Sequence, residues 1–319
     1  MAVRIVTDSG CDLPPELDSE LRAWGVHTIP FVFNFGLEAC EDKSMSMQAF
    51  LARALQTWPT TAAPSVGAYA SAFQHILAAG DQALCLTITG RHSGTYNAAR
   101  LAAEDFPPDQ VAVVDTLSLS LGEGFLALAA VQAAQAGATL HEVVAILRDM
   151  IGRIHFFIGL DTLDYVVRGG RASRFVGAIA SLLQLRPILS VEEGELTLRD
   201  KPRTRARCKQ RLLAMAGECL PAVALGVMHA AAPDEAHELA ESLASLSGAA
   251  LSTIPVVEVG MALATHAGPG GLGIVAVSEP RAEGGPEGRF TILGHELPRI
   301  NLPHIDLPHI DLPRIGRDE

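Results

Sequence analysis

The first 150 residues alternate between short apolar runs and stretches with helical spacing of apolar residues. The apolar runs, which predict buried strands, are 3–9, 28–35, 83–88 and 111–115. The helical stretches are 44–55, 65–80, 93–106, a long one from about Gly122, and one from Thr139 to Arg153. Strand–helix–strand units with almost continuously apolar strands form parallel sheets that helices cover on both faces. The pattern therefore predicts an α/β fold with a parallel sheet in the N-terminal half.

The pattern changes near residue 154. The segment 186–200 has a Glu-Gly turn between two β runs and predicts a hairpin. A glycine-rich loop, 265–273, is predicted between two apolar runs. The remaining predicted strands are 156–160 and 223–229, and the predicted helices are 162–171, 175–183, 205–219 and 234–247. We therefore expect an N-terminal α/β domain at 1–154 and a C-terminal mixed α/β domain at 155–279.

The C-terminal tail follows a third pattern. Residues 297–316 repeat a pentapeptide with proline at every fifth position, "LPRINLPHIDLPHIDLPRIG". Neither a helix nor a central strand tolerates proline at that spacing. We expect 280–319 to form an extended, poorly ordered tail, with docking to a partner as the alternative. His304 and His309 lack the supporting ligands that a metal site would need.

Composition and charge narrow the class of protein. The net charge of −12 argues against DNA or RNA as the main partner, because nucleic-acid binders neutralise phosphates with a basic surface. No apolar stretch reaches the roughly 18 residues of a membrane-spanning helix, and the first residues show no signal-peptide pattern. The five cysteines form no CxxC pair and predict free thiols in a reducing compartment. The expected location is the cytoplasm.

The segment "TGRHSGTYN" at 89–97 follows a predicted strand and opens a predicted helix. Ser93 could therefore be a nucleophile, part of an anion cradle or a helix cap. A helix start offers free amides and a positive dipole end, and Gly94 lets a ligand approach the backbone. The G-x-S-x-G spacing of a nucleophile elbow is absent, as is the P-loop pattern. The segment therefore favours the binding of an anion at Ser93 over a role of Ser93 as the nucleophile that cleaves a substrate.

Two other polar positions are candidates for ligand contacts. Thr61 is expected at the carboxyl end of a sheet layer, where open α/β sheets bind ligands, although a loop hydroxyl bonded to its own backbone is an alternative. His266 lies in the predicted glycine-rich loop, which would let backbone approach a ligand. The dense basic runs, 168–174 and 201–209, predict either a solvated face or a protein-docking patch.

Seven segments together resemble the DegV family, in order and spacing, up to about residue 279. They are "VTDSGCDLP" (6–14), "TAAPS" (61–65), "SGTYNAA" (93–99), "VVDTLSLSLGEG" (113–124), "LDYVVRGGR" (163–171), "RPIL" (186–189) and "THAGPGGLG" (265–273). The resemblance implies a two-domain DegV-like α/β fold that carries a long-chain fatty acid. It also implies a non-catalytic subunit that presents the acyl carboxylate to a separate ATP-binding fatty acid kinase subunit, for acyl-phosphate formation and phospholipid synthesis. No cofactor and no metal are implied.

The resemblance also assigns roles to individual residues. Thr61, Ser93 and His266 match the residues that hold the carboxylate in the family, and the Gly94 amide is expected to join them. The family's first loop reads "TSQPS", whereas Ala62 and Ala63 replace its Ser-Gln here, which alters the polarity of the loop. We expect the carboxylate in the interdomain crevice and the chain in the aliphatic C-terminal domain. At roughly 0.8 kcal/mol per CH₂, about fourteen methylenes give on the order of 10 kcal/mol before ordering costs.

The expected partner docks on basic residues. Arg171, Arg203 and Arg205 are the candidates, because they are isolated positive charges in an acidic chain. Three alternatives stay open at this stage. They are a lipid-transport protein without a kinase partner, an acyl hydrolase with Ser93 as nucleophile and His266 as base, and a kinase related in architecture to dihydroxyacetone kinases.

Overall fold

The computed structural model describes residues 1–171 and 185–280, and the backbone of two further strands within 290–297. The predicted helix 175–183 and the repeats after residue 297 lie outside the described residues. The helices are α1 Pro15–Ala23, α2 Met47–Ala54, α3 Val66–Ala78, α4 Thr95–Ala103, α5 Leu121–Gln135, α6 Leu140–Ile151, α7 Asp164–Arg168, α8 Arg205–Gly217, α9 Pro233–Ser247 and α10 Met261–Ala267, with a 3-10 turn at Leu251–Thr253. The strands are β1 Val3–Asp8, β2 His27–Ile29, β3 Val32–Phe35, β4 Glu38–Glu41, β5 Pro59–Ala62, β6 Gln82–Thr87, β7 Val111–Asp115, β8 Ile154–Gly159, β9 Ile188–Glu192, β10 Glu195–Asp200, β11 Ala222–His229, β12 Val256–Glu258, β13 Leu272–Ser278, β14 Phe290–Ile292 and β15 His295–Leu297.

The N-terminal half contains the predicted parallel sheet. Its strand order is β2-β1-β6-β7, and every neighbouring pair is parallel. β6 is buried along almost its whole length, as the apolar run predicted. The α/β class and the parallel sheet are confirmed. The carboxyl ends of β1, β6 and β7 meet at one edge, where the loops of the functional site begin.

The prediction of one strand over 28–35 is wrong, because Pro30 divides it. Proline has no amide hydrogen and cannot continue a sheet ladder. β2 therefore stays in the parallel sheet, whereas β3 enters a separate antiparallel sheet of order β4-β3-β5. In that small sheet Phe33 lies opposite Thr61. Thr61 is thus the third residue of strand β5, in an antiparallel sheet.

The second half forms a mixed six-stranded sheet of order β10-β9-β8-β13-β11-β12. The predicted hairpin 186–200 is confirmed as the antiparallel pair β9–β10, with Glu193 and Gly194 at positive φ in its turn. Only β11 and β12 run parallel within this sheet. Its first strand in the chain, β8, starts at Ile154.

The long helix α5 packs between the two large sheets. It contacts strands β1 and β6 on one side and β8 and β11 on the other. Residues on every side of the helix are buried, including Leu121, Phe125 and Leu126. At Gly226 in β11, an added Cβ would lie 2.2 Å from the Leu121 side chain, so the strand packs directly onto the helix. One continuous core therefore joins the two halves.

The segment after β13 differs in part from the extended tail that was predicted. β14 and β15 pair in antiparallel fashion, and β14 lies beside α5. The pentapeptide repeat begins at Leu297, the last residue of β15, and continues outside the described residues.

Candidate functional site

A pocket with largely apolar walls lies between the two halves of the chain. Counting its open mouth, the space measures about 910 Å³. The first half contributes Phe31, Ile88 and Leu119 to the apolar walls. The second half contributes more of them, namely Phe156, Ile158, Leu160, Val166, Leu189, Leu196, Met228, Val259, Ala262, Leu263 and Ala267.

The structure brings together the residues that the sequence predicted for a ligand site. Thr61, Ser93 and His266 all line the pocket, and Gly94 is the residue directly after Ser93. We call these four residues the polar end. Thr61, Ser93 and His266 are half-buried, and Gly94 is exposed. The polar end therefore lies at the mouth of the pocket.

His266 lies in the last turn of α10, so its prediction as a loop residue is wrong. The glycine-rich loop starts only at Gly268, which ends the helix with φ 72°. His266 Nε2 lies 3.0 Å from Thr61 Oγ1. Its Nδ1 is buried without a hydrogen-bond partner among the described residues.

The Nδ1 side of the imidazole packs against Gly169. A Cβ placed on Gly169 would lie 2.0 Å from Nδ1 and 2.6 Å from Cε1, so no side chain fits there. The φ of Gly169 is −71°, an ordinary helical value that any residue adopts. The lack of room for a side chain beside His266 therefore explains the glycine at position 169, and its backbone conformation does not require one. Sequence reasoning missed this contact.

His266 is neutral near pH 7. Burial lowers its pKa to about 3, and the nearby Arg171 and His92 side chains act in the same direction. A neutral imidazole carries one proton, and a buried N–H without an acceptor is rarer than an unpaired acceptor. We therefore place the proton on Nε2, which donates it to Thr61 Oγ1. The hydroxyl hydrogen of Thr61 then remains available to a ligand.

Ser93 stands just before α4 and contacts Thr95. Its Oγ accepts a hydrogen bond from the Thr95 amide at 3.2 Å and lies 2.5 Å from Thr95 Oγ1. Gly94 is the N-cap of α4, and a Cβ there would approach Ala63 at 3.6 Å. The segments 61–63 and 93–94 are thus neighbours. The Ser93 hydroxyl bonds to Thr95 and not to His266, so the described geometry lacks the serine–histidine pair of a hydrolase.

Arg171 is not the isolated surface charge that the sequence predicted. It is half-buried in the pocket wall, and its guanidinium donates to the carbonyls of His92 at 3.2 Å and Gly169 at 2.7 Å. These bonds tie the segment that follows α7 to the segment that precedes α4. Arg171 is therefore part of the site itself.

Arg205 is likewise paired. It makes ion pairs with Glu235 at 2.7 Å and Asp161 at 3.1 Å, and it donates to the Gly270 carbonyl at 2.6 Å. Arg203 is exposed. Of the three predicted docking residues, Arg203 alone keeps the surface position on which that prediction was based.

Within 1–171 and 185–280, no group of three or more His, Cys, Asp or Glu side chains is arranged to hold a metal ion. None of the helices described above is long and apolar enough to cross a membrane. All five cysteines are free, as their spacing predicted.

The sequence and the fold both match known proteins. The pattern of the family described as "Uncharacterised protein, DegV family" matches residues 2–279. A DegV domain-containing protein of Streptomyces coelicolor is 34% identical over 281 residues, which are 86% of this chain and 98% of that relative.

Solved structures resemble the fold over a similar span. A fatty-acid-binding DegV family protein from Thermus thermophilus superposes with a TM-score of 0.79 at 29% identity, covering 87% of this chain and 100% of the other. A stearic-acid-binding protein from Eubacterium ventriosum gives a TM-score of 0.76 at 26% identity, covering 86% and 97%. The family match over residues 2–279 and the relative that is 34% identical over 281 residues show that the chain belongs to the DegV family.

Proposed function

We propose that this protein binds one long-chain fatty acid in the pocket between its two halves, 1–154 and 155–279. The carboxylate lies at the polar end, and the acyl chain extends along the apolar walls. The observation that carries the proposal is the combination of a single polar end, made of hydroxyls and a neutral imidazole, with walls that are otherwise largely apolar.

The hydrogen bonds inside the protein leave donors facing the ligand. Thr61 Oγ1 accepts from His266 Nε2, and Ser93 Oγ accepts from the Thr95 amide. The Thr61 hydroxyl therefore keeps its hydrogen for the ligand, and the Ser93 hydroxyl does so when Thr95 Oγ1 is the donor in their 2.5 Å contact; two such donors match the two oxygens of a carboxylate. The start of α4 at Gly94 adds a positive dipole end. A carboxylate is held in this way without a lysine.

The apolar walls account for most of the affinity. Each methylene removed from water contributes roughly 0.8 kcal/mol, whereas a net hydrogen bond to a charged group contributes about 1.5–3 kcal/mol. The acyl chain therefore determines the strength of binding, and the polar end determines which end of the ligand faces the mouth. The fatty acids bound by the relatives from Thermus thermophilus and Eubacterium ventriosum support this assignment.

We further propose that the protein has no catalytic activity of its own and acts in the cytoplasm, without a cofactor, by presenting the carboxylate to a fatty acid kinase subunit. That partner would transfer the terminal phosphoryl group of ATP to a carboxylate oxygen, with release of ADP and an acyl phosphate. The half-buried polar end and the exposed Gly94 support this, because a phosphoryl donor must reach the carboxylate.

The binding proposal is tested by native mass spectrometry of the purified protein and by palmitate titration. A retained fatty acid appears as added mass. Thr61→Val removes the hydroxyl and should weaken palmitate binding by about tenfold. Thr60→Val is the matched control, because Thr60 is the adjacent residue of β5 and is exposed. Absence of palmitate binding by the wild-type protein would refute the proposal.

The presentation proposal is tested with an ATP-dependent fatty acid kinase subunit. Arg203→Glu should abolish acyl-phosphate formation and leave palmitate affinity unchanged, because Arg203 is exposed and does not line the pocket. Reversal of Arg205 would also break its pairs with Glu235 and Asp161, and reversal of Arg171 would disturb the pocket wall. Unchanged turnover with Arg203→Glu would rule out docking at this position.

A further inference from the structure

Two buried carboxylates from the N-terminal half hold the end of α10 that lies opposite His266. α10 begins after Gly260 and has no side-chain cap from its own segment. Asp12 Oδ1 accepts a hydrogen bond from the Gly260 amide at 3.1 Å, and Asp42 Oδ1 accepts one from the Ala262 amide at 3.0 Å. Both acids thus satisfy amides that a helix start leaves open. They do so from 248 and 220 residues away in the chain.

We infer that Asp12 and Asp42 are positioning residues for the polar end. They fix α10 across the contact between the two halves and thereby hold His266 against Thr61. The inference rests on the proposed function, because it assigns these acids a part in recognising the carboxylate of a fatty acid.

The N-terminal end of α10 is shaped for this contact. A Cβ on Gly260 would lie 2.7 Å from Asp42 Oδ2 and 3.1 Å from Lys43 Cε. Only a glycine lets the carboxylate come this close to the helix start. The Lys43 amide also approaches Met261 Sδ at 3.2 Å. The first residues of α10 are thus held from several sides.

Both carboxylates are themselves fixed. Asp12 pairs with Lys43 Nζ at 2.9 Å and accepts from Ser120 Oγ at 2.7 Å. Asp42 accepts from Ser9 Oγ at 2.8 Å. Ser120 adopts φ 51° and ψ −127°, a costly backbone conformation for a residue other than glycine. Ser120 also lines the pocket. Asp12 is therefore connected to the pocket through Ser120 as well as through α10.

Two further buried acids stand next to these but do not compete for Lys43. Burial raises the pKa of Asp8 to about 7 and also raises the pKa of Glu123. Asp8 is bonded to the amides of Gly10 and Ile88, each at 2.9 Å. The Glu123 carboxyl faces Asp8, which favours the protonated form of Glu123. The single lysine therefore remains with Asp12.

α10 is too short to hold its own position. Its seven residues span about 10 Å, and isolated helices of this length are unstable in water. The ends therefore fix the helix, with Asp12 and Asp42 at one end and Thr61 with Gly169 around His266 at the other. Loss of a cap at the first end should displace the imidazole at the second.

The test uses the full-length protein and compares palmitate with 1-hexadecanol, which has the same chain length but no carboxylate. Asp42→Ala removes one cap, and Asp42→Asn keeps an oxygen that can accept from the Ala262 amide. Asp42 is preferred to Asp12, whose removal would also leave Lys43 unpaired. Asp81→Ala is the matched control, because Asp81 accepts a distant backbone amide, that of Ala2, far from the pocket.

Asp42→Ala should weaken palmitate binding about tenfold and change hexadecanol binding less than about twofold. Asp42→Asn should restore most of the palmitate affinity, and Asp81→Ala should bind both ligands like the wild type. A cap with a purely structural role would lower the affinity for both ligands equally, and that result would overturn the inference.

A second measurement separates this inference from the proposed function. In ligand-free protein with labelled histidine, Asp42→Ala should shift or broaden the imidazole signals of His266 in NMR spectra, whereas Asp81→Ala should not. Unchanged His266 signals would overturn the inference whether or not the protein binds palmitate. If the wild type binds no palmitate while the signals of Asp42→Ala shift, the proposed function fails and the positioning role of Asp42 stands.

Discussion

The two ends of α10 meet opposite kinds of polar environment. At the N-terminal end, Asp12 and Asp42 supply buried carboxylates to the helix amides. At the C-terminal end, the Thr61 and Ser93 hydroxyls are the hydrogen-bond donors, and a neutral His266 donates to Thr61. In the described part of the chain, no carboxylate bonds to Thr61 or Ser93. At the N-terminal end, amides and carboxylates of the protein pair with each other, whereas at the C-terminal end the hydroxyls have no anionic partner among the described residues.

This difference indicates where a ligand belongs. Buried polar groups are almost always paired, so donors that a protein leaves without acceptors in a pocket point to an acceptor from outside. At the N-terminal end a ligand would have nothing to add, because each carboxylate already has a partner. The same short helix therefore lies between carboxylates that are already paired and the site where we propose that a carboxylate ligand binds. The following predictions test that distinction.

The largest effect is expected on stability at the N-terminal end. Asp12→Ala removes the cap on Gly260 and the buried partner of Lys43 together, and should lower the free energy of unfolding by about 3 kcal/mol. Urea denaturation followed by circular dichroism measures this free energy of unfolding. Asp81→Ala, at an exposed ion pair with Arg4, should cost less than about 1 kcal/mol. Equal losses in the two variants would contradict a structural role for Asp12.

A smaller effect, confined to acid pH, is expected at the C-terminal end. The folded protein keeps His266 neutral because burial lowers its pKa to about 3, whereas the unfolded chain takes up a proton below pH 6.5. Stability from this histidine is therefore lost as the pH falls. The stability advantage of the wild type over His266→Asn should shrink by about 2 kcal/mol from pH 7 to pH 5.

Denaturant titrations of both proteins across that range measure the difference. The other titrating groups, such as Asp8, are common to both proteins and cancel. An advantage that stays constant from pH 7 to pH 5 would mean that His266 is not held neutral by burial.

The smallest effect is expected from the packing against His266. Gly169→Ala places a methyl group 2.0 Å from Nδ1 and should displace the ring, weakening palmitate binding about tenfold, or about 1.4 kcal/mol. Isothermal titration calorimetry measures the affinity. Gly217→Ala is the matched control, because it lies in helix α8 with its nearest neighbour at 3.5 Å. It should leave affinity unchanged, and wild-type affinity in Gly169→Ala would show that this contact does not position His266.

The sequence by itself predicted the elements whose pattern is local. The parallel sheet, the hairpin β9–β10 and most helices follow from periodicity and turn residues, because these depend on neighbours in the chain. The motifs also identified Thr61, Ser93 and His266, which the structure places at one pocket. The three arginines predicted for docking show the limit of this reasoning. Composition does not reveal that Arg171 is bonded to a backbone carbonyl or that Arg205 forms an ion pair.

The tertiary structure alone decided how those residues meet. Thr61 and His266 are 205 positions apart in the chain. The turn at Pro30 leads the chain into the small antiparallel sheet, and Thr61 contacts His266 from strand β5 of that sheet. The last residues of α10 were predicted as part of the glycine-rich loop 265–273, and a helix of seven residues is too short to be stable on its own. Its caps come from Asp12 and Asp42, more than 200 residues earlier. Local sequence cannot encode a helix whose stabilising groups lie in the other half of the protein, and for that reason the position of His266 depended on the complete fold.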